Sequence, residues 1–206
     1  TVKDAGTAIP NRSATTLTLT GDENTFIRYF STATYDMSAT ARKHATVKSY
    51  KATCGTKSAN SKSGTLANIE SGSIVFTATD SRGYTASKTL NINLIDYINL
   101  TCYFAPNIIT PDGQFKLAIS GNYYNGSFGA ADNYLRLQYR YKVGNGSYTA
   151  WTEITVPAPT SNNYSVTTTL TGLDYRQAHT FQVRALDQMQ TITSGTRTIK
   201  STPVFD

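Results

Sequence analysis

The sequence predicts an all-β chain built as two tandem antiparallel β-sandwiches, and three observations predict it. No segment sustains a helical period between caps; short period-2 runs alternate instead with clusters of Gly, Asn, Asp, Ser and Pro. Only 16% of the 206 residues are charged, and the chain is dense in Thr, Ser, Asn and Tyr. Thr and Tyr favour strands, while Ser, Asn and Gly favour turns. Finally, two stretches one domain length apart echo each other. "FTATD" (76–80) aligns with "VRALD" (183–187), matching Ala78 with Ala185 and Asp80 with Asp187. The same offset carries Thr89 onto Thr196 and Ile92 onto Ile199.

In the first half, strands are expected at 14–20 ("ATTLTLT"), 33–41, 47–54, 64–69, 73–79 and 84–94. The last alternates: Leu90, Ile92 and Leu94 point one way and Thr89, Asn91 and Asn93 the other. Between the last two lies "DSRGY" (80–84). Asp and Ser bond locally to backbone and Gly83 can take a positive φ, so a hairpin turn is expected. Ser81 has no G-x-S-x-G around it, which argues against a nucleophile. "LIDY" (94–97) leads straight into the second set, expected at 98–104, 115–120, 134–143, 147–156, 163–170, 180–186 and 195–201. In "YLRLQYRYKV" (134–143), Leu135, Leu137, Tyr139, Tyr141 and Val143 should be buried, with Arg136, Gln138, Arg140 and Lys142 facing water. Six or seven short strands per roughly 100 residues is the pattern of an antiparallel sandwich. The units expected are 1–96, its first residues a linker, and 97–206.

Chemistry-bearing clusters are sparse. Cys54 and Cys102 should fall in different domains as free, buried thiols, and the bases a catalytic Cys would need are only His44 and His179. Most of the thirteen acids fall at turns, among them Asp22, Glu23, Asp112, Asp132 and Asp174, which speaks against the paired carboxylates of a glycosidase. "GDEN" (21–24) could lend oxygens to Ca²⁺ but reads better as a polar turn, and no Cys/His spacing suits zinc. No enzyme activity, cofactor or metal is therefore expected. No apolar run approaches the roughly 18 residues of a membrane-spanning helix. Because the chain opens on Thr1 and stops at Asp206, it is read as part of a longer polypeptide.

Two binding surfaces remain as candidates. From Arg42 to Lys62 the chain holds Arg42, Lys43, Lys48, Lys51, Lys57 and Lys62 with no acid, within a net charge of +6. This is either a solvated face or a site for a polyanion such as a phosphate-rich wall polymer. Nucleic acid is not expected, since no recognition motif accompanies the charge. The second candidate is aromatic. "SGNYYNGSFGAADNY" (120–134) holds Tyr123, Tyr124, Phe128 and Tyr134, and "NGSYTAW" (145–151) adds Tyr148 and Trp151. Sugars stack on flat rings, and Tyr with Gly, Ser and Asn makes an adaptable recognition surface. The alternative is that these rings pack in the core, at sheet edges or at the seam between domains.

The second half resembles a fibronectin type III module over "LTGLDYRQAHTFQVRALD" (170–187), where Leu170, Leu173, Phe181, Val183 and Ala185 match that pattern. Two positions depart from it. His179 stands where the resemblance implies a corner Tyr, and Phe115 or Leu117 where it implies a Trp, the sole Trp being Trp151. The chain as a whole resembles tandem Ig-like regions of minor structural proteins from the tail tip or baseplate of long-tailed phages of Gram-positive bacteria. The segments that carry this are 18–33, 47–55, 77–89 and 198–206. The resemblance implies two tandem Ig-like or fibronectin type III-like sandwiches and a virion location. It also implies a non-catalytic structural or docking role beside other tail proteins. The competing reading is a carbohydrate- or receptor-binding module of a phage or a bacterial adhesin, facing wall polysaccharide or a surface receptor. A third is an accessory module of a surface enzyme.

Overall fold

The computed structural model of the chain describes residues 1–105 and 107–200. The described residues are almost all β, in several antiparallel sheets. They form two compact units. Unit 1 is Thr1–Tyr97 with Ser127–Asp132, and unit 2 is Ile98–Gly126 with Asn133–Asp206. Tyr97 and the six residues Ser127–Asp132, all inside the span 97–206, thus belong to unit 1. The expected strand 195–201 is present as 197–199, with Ser201 outside the described residues, as is the 201–206 part of the phage-like segment 198–206.

In unit 1, β1 (Val2–Asp4), α1 (Thr16–Thr20), β2 (Thr25–Ile27) and β3 (Ala33–Asp36) come first. They are followed by β4 (Val47–Cys54), β5 (Lys57–Ala59), β6 (Ser63–Leu66), β7 (Ser73–Asp80), β8 (Thr85–Asn91) and β9 (Asn93–Ile95). The antiparallel sheet β1-β3-β6 and the antiparallel sheet β5-β4-β7-β8 share one core, in which Tyr35 and Leu66 of the first meet Ala52, Cys54 and Ile74 of the second. β9 leaves the β7 ladder and pairs parallel with β2, Phe26 opposite Leu94. The expected strand 84–94 is therefore two strands. Leu90 stays 36% exposed while Ile92 and Leu94 pack on the core. The first residues are β1 rather than a linker, held by Val2↔Tyr35 pairing.

The expected strand 14–20 is instead α1. Thr15 makes a capping box with Thr18, its hydroxyl accepting from Thr18 N at 3.1 Å while the Thr18 hydroxyl accepts from Thr15 N at 2.7 Å. Gly21 closes the helix at φ +68°, donating to the Leu17 carbonyl. Thr16, Leu19 and Thr20 are buried at i, i+3 and i+4, a helical stripe that the Thr/Leu alternation concealed. The last turn is completed by the 127–132 segment: Ala130 N and Ala131 N both donate to the Leu19 carbonyl, at 3.0 and 3.2 Å. Beside it Phe128 stacks on Tyr97, and Tyr97 meets Phe30 edge-on at 5.3 Å.

Unit 2 repeats the arrangement with β10 (Tyr103–Ala105), β11 (Phe115–Asn122), β12 (Arg136–Val143) and β13 (Thr152–Ile154). β14 (Asn163–Leu170), β15 (His179–Leu186), β16 (Thr191–Thr193) and β17 (Arg197–Ile199) follow. One sheet runs β10-β11-β14. The other runs β13-β12-β15-β16, with β17 also on β15. Leu117, Ile119 and Val166 from the first pack against Leu137, Phe181 and Val183 from the second. Term by term this is the strand order of unit 1. The expected strands 98–104 and 147–156 shrink to 103–105 and 152–154, although Leu100 and Cys102 are buried as the alternation implied.

Candidate functional site

The structure brings three of the six predicted basic residues together. Lys48, Lys51 and Lys62 line one depression on unit 1 with Ser49, Tyr50, Asn60, Ser61, Thr77 and Thr79. The local cause is a β-bulge. Val47 pairs with Asp80 and Ser49 with Thr79, so Lys48 is an extra residue with no partner on β7. In a regular strand Lys48 would share a face with Tyr50 and Ala52, whose side chains turn into the core. The bulge releases it to solvent, on the side where Lys51 already points. The other three cations lie outside this depression. Lys57 is ion-paired with Glu70 at 3.3 Å. The Glu70 carboxylate also accepts from Thr56 N and the Thr56 hydroxyl, which hold its pKa below the usual range. Arg42 and Lys43 lie in the loop before β4, where the Arg42 carbonyl accepts from Arg82.

The aromatic candidates do not form a common platform. Tyr123 and Phe128 are buried, at 2% and 1% exposure. Tyr123 meets Tyr164 edge-on inside unit 2, and Phe128 packs inside unit 1. Neither ring offers a face to a ligand, which corrects the reading of 120–134 as an exposed recognition loop. Tyr124 and Tyr134 are half-buried, and the Tyr124 ring packs under Gly126. Tyr148 and Trp151 lie against cations of unit 2. Arg140 and Arg184 guanidiniums stack on the Trp151 ring at 4.5 and 4.3 Å, and Arg140 and Lys142 approach the Tyr148 ring at 4.5 and 5.5 Å. Hydrogen bonds tie the layer together: Arg184 Nε donates to Gln138 Oε1 at 2.5 Å, Arg140 to Gln182 at 2.9 Å, and both Arg136 and Gln138 to Glu153. Gln138, expected to face water, is 8% exposed beneath this layer. The period-2 run Arg136-Gln138-Arg140-Lys142 signalled the layer. The partner Arg184 becomes visible only once β12 is paired with β15.

Four of the acids serve turns. Asp80 Oδ1 accepts from Arg82 N and Tyr84 N, and its other oxygen from the Arg82 guanidinium, so "DSRGY" is a hairpin turn with Gly83 at φ +91°. Asp187 repeats the device, accepting from Met189 N and Gln190 N at 2.8 and 2.7 Å. Asp22 and Asp174 likewise accept from the backbone N–H two residues on. Sequence reasoning missed Asp4. It is 5% exposed and accepts from Gly6 N and from the Thr16 and Ser31 hydroxyls, fastening β1 to α1 and to the turn before β3. Nothing in "TVKDAG" signals that role.

Among the described residues no group of three or more His, Cys, Asp and Glu could hold a metal. Both cysteines are free and buried, and burial pushes the Cys102 thiol up to about 11. His179, at the corner position, is 2% exposed. Its ring stacks near Tyr141 and Phe181, with Nδ1 3.0 Å from the Gln177 carbonyl.

No family model matches the chain, and no curated protein matches it at a significant level.

Proposed function

We propose that the chain is a non-catalytic pair of Ig-like, fibronectin type III-like modules acting in assembly or docking within the tail tip or baseplate of a phage of Gram-positive bacteria. The observation that carries the module reading is the repeated strand order: β1-β3-β6 with β5-β4-β7-β8, then β10-β11-β14 with β13-β12-β15-β16. Two antiparallel sheets packed over a shared core are the general architecture of such modules. The shared Asp80 and Asp187 turns support a common plan for the two units. The non-catalytic reading rests on where the ionisable groups are used: Asp22, Asp80, Asp174 and Asp187 bind turn backbone, and Cys102 and His179 are buried. The tail setting rests on the sequence resemblance alone, and a fold of this kind serves many functions.

Antibody labelling of purified virions tests the setting. Label confined to the tail tip is the expected result. Label on the bacterial wall and on no virion would replace this reading with that of a surface adhesin.

A further inference from the structure

We propose that the depression over Lys48, Lys51 and Lys62 binds a flexible anionic polymer of phosphodiester-linked polyols. The assignment goes beyond the module reading and does not depend on it. Three observations carry it. First, like charges converge without compensation. No Asp or Glu lines the depression, and no described residue forms an ion pair with any of the three lysines. Lys57, a few residues away in sequence, shows the contrasting arrangement, with Glu70 beside it. Like charges brought together raise the local positive potential and favour an anion at the cost of self-repulsion.

Second, the bulge at Val47–Ser49 is what delivers Lys48. Without it this residue would alternate with Tyr50 and Ala52 toward the core. Bulges re-aim side chains, and they concentrate beside functional sites. Third, the walls match the chemistry of a polyol phosphate. Ser49, Asn60 and Thr79 offer small donors and acceptors for phosphate oxygens and polyol hydroxyls. The one ring at the site, Tyr50, is half-buried and packs against the core, so unstacked nucleic acid bases find no platform. Lys48 and Lys51 are spread over about 10 Å of strand. A repeating chain of phosphates engages them together with Lys62, where a single phosphate would meet only one or two.

The test is a titration of the 206-residue chain with poly(glycerol phosphate), beside a single-stranded oligonucleotide of equal phosphate number and polyglutamate. Saturable binding to poly(glycerol phosphate) is expected, stronger than to either comparator and falling as salt rises from low to high ionic strength. Lys51→Gln and Lys62→Gln should each weaken it about fivefold. Lys57→Gln should change it by less than about twofold, because that charge is already matched. Thermal melts of the Lys51→Gln and Lys62→Gln variants should lie at or above the parent at low salt, which separates lost binding from lost folding. Equal or tighter binding to the oligonucleotide would overturn the assignment in favour of a nucleic acid surface. Equal losses from Lys57→Gln and Lys51→Gln would reduce the site to undifferentiated charge. No binding to poly(glycerol phosphate) would also overturn it.

Discussion

At the scale of single residues, buried polar groups decide most outcomes. Asp187 is 0% exposed, and its carboxylate satisfies two backbone N–H groups and the Asn133 side-chain amide. Asp187→Ala leaves those donors without their acceptor and should cost about 3 kcal/mol in urea unfolding at neutral pH. The equivalent change at Asp80 should cost less, because the 80–84 turn is exposed and water can replace the carboxylate. Equal losses would mean the two turns are not energetically distinct. Cys102 is the second case. A buried thiol with its pKa near 11 is almost entirely protonated at neutral pH, so thiol reagents should modify it only as fast as unit 2 opens. Rapid modification of the native protein would contradict this. The Asp80 turn was legible in sequence because Asp followed by Ser-Arg-Gly has a local mechanism, and Asp187 was marked only by its alignment with Asp80. Asp4 was not, because all its partners but Gly6 are remote in sequence.

At the scale of elements, α1 shows why a pattern can mislead. "TLTLT" satisfies a period-2 template, yet its capping box and Gly21 stop make a one-turn helix whose Thr16 is fully buried. Thr is small enough to be buried when its hydroxyl has a partner, here Asp4 at 3.0 Å. The segment over α1 is equally exact in its demands. Gly129 has φ +115°, and a Cβ there would sit 2.6 Å from the Thr20 carbonyl oxygen. Gly129→Ala should therefore destabilise unit 1 by about 2 kcal/mol. The cation–aromatic layer of unit 2 gives a spectroscopic check, since Trp151 is the sole tryptophan. Arg184→Gln should move its fluorescence emission to longer wavelength and cost about 1 kcal/mol. An unchanged spectrum would place the indole outside the layer. The strongly alternating strands β4, β7, β12, β14 and β15 were legible almost to their ends. The three-residue strands β1, β2, β5 and β16 were not, because pairing rather than pattern defines them.

At the scale of the whole molecule, stability should hold across neutral pH and fail at both ends. Folding lowers the pKa of Asp22 through the Asn24 N–H and of Glu70 through the Thr56 N–H. It lowers Asp80 through the Arg82 side chain and Asp174 through the Arg176 N–H. A carboxylate with a depressed folded pKa adds stability above its unfolded pKa, and that stability is lost as pH falls below about 4. Burial acts in the opposite direction on Cys102 and Tyr164, raising both. Their contribution is complete below the unfolded pKa and fades as pH climbs above about 9. Urea midpoints measured from pH 3 to 11 should therefore trace a plateau with two falling shoulders. A midpoint that keeps rising below pH 4 would contradict the carboxylate assignments. The repeat and the all-β class were legible at this scale from composition and the 76–80 and 183–187 echo. The composition of unit 1 was not, because its last six residues are written after the start of unit 2.

That displaced segment has a consequence for synthesis. A chain leaving the ribosome presents every strand of unit 1 by Ile95, but the Leu19 carbonyl has no Ala130 or Ala131 to meet, and Tyr97 has no Phe128 against it. Unit 1 can close its strands and cap its helix early, and still wait for residues 127–132 before the Leu19 carbonyl is bonded and its last aromatic cluster is sealed. The place where the sequence reads as a domain boundary is therefore a poor place to cut. A product ending at Tyr97 should emerge with an apolar scar that residues 127–132 cover in the longer chain.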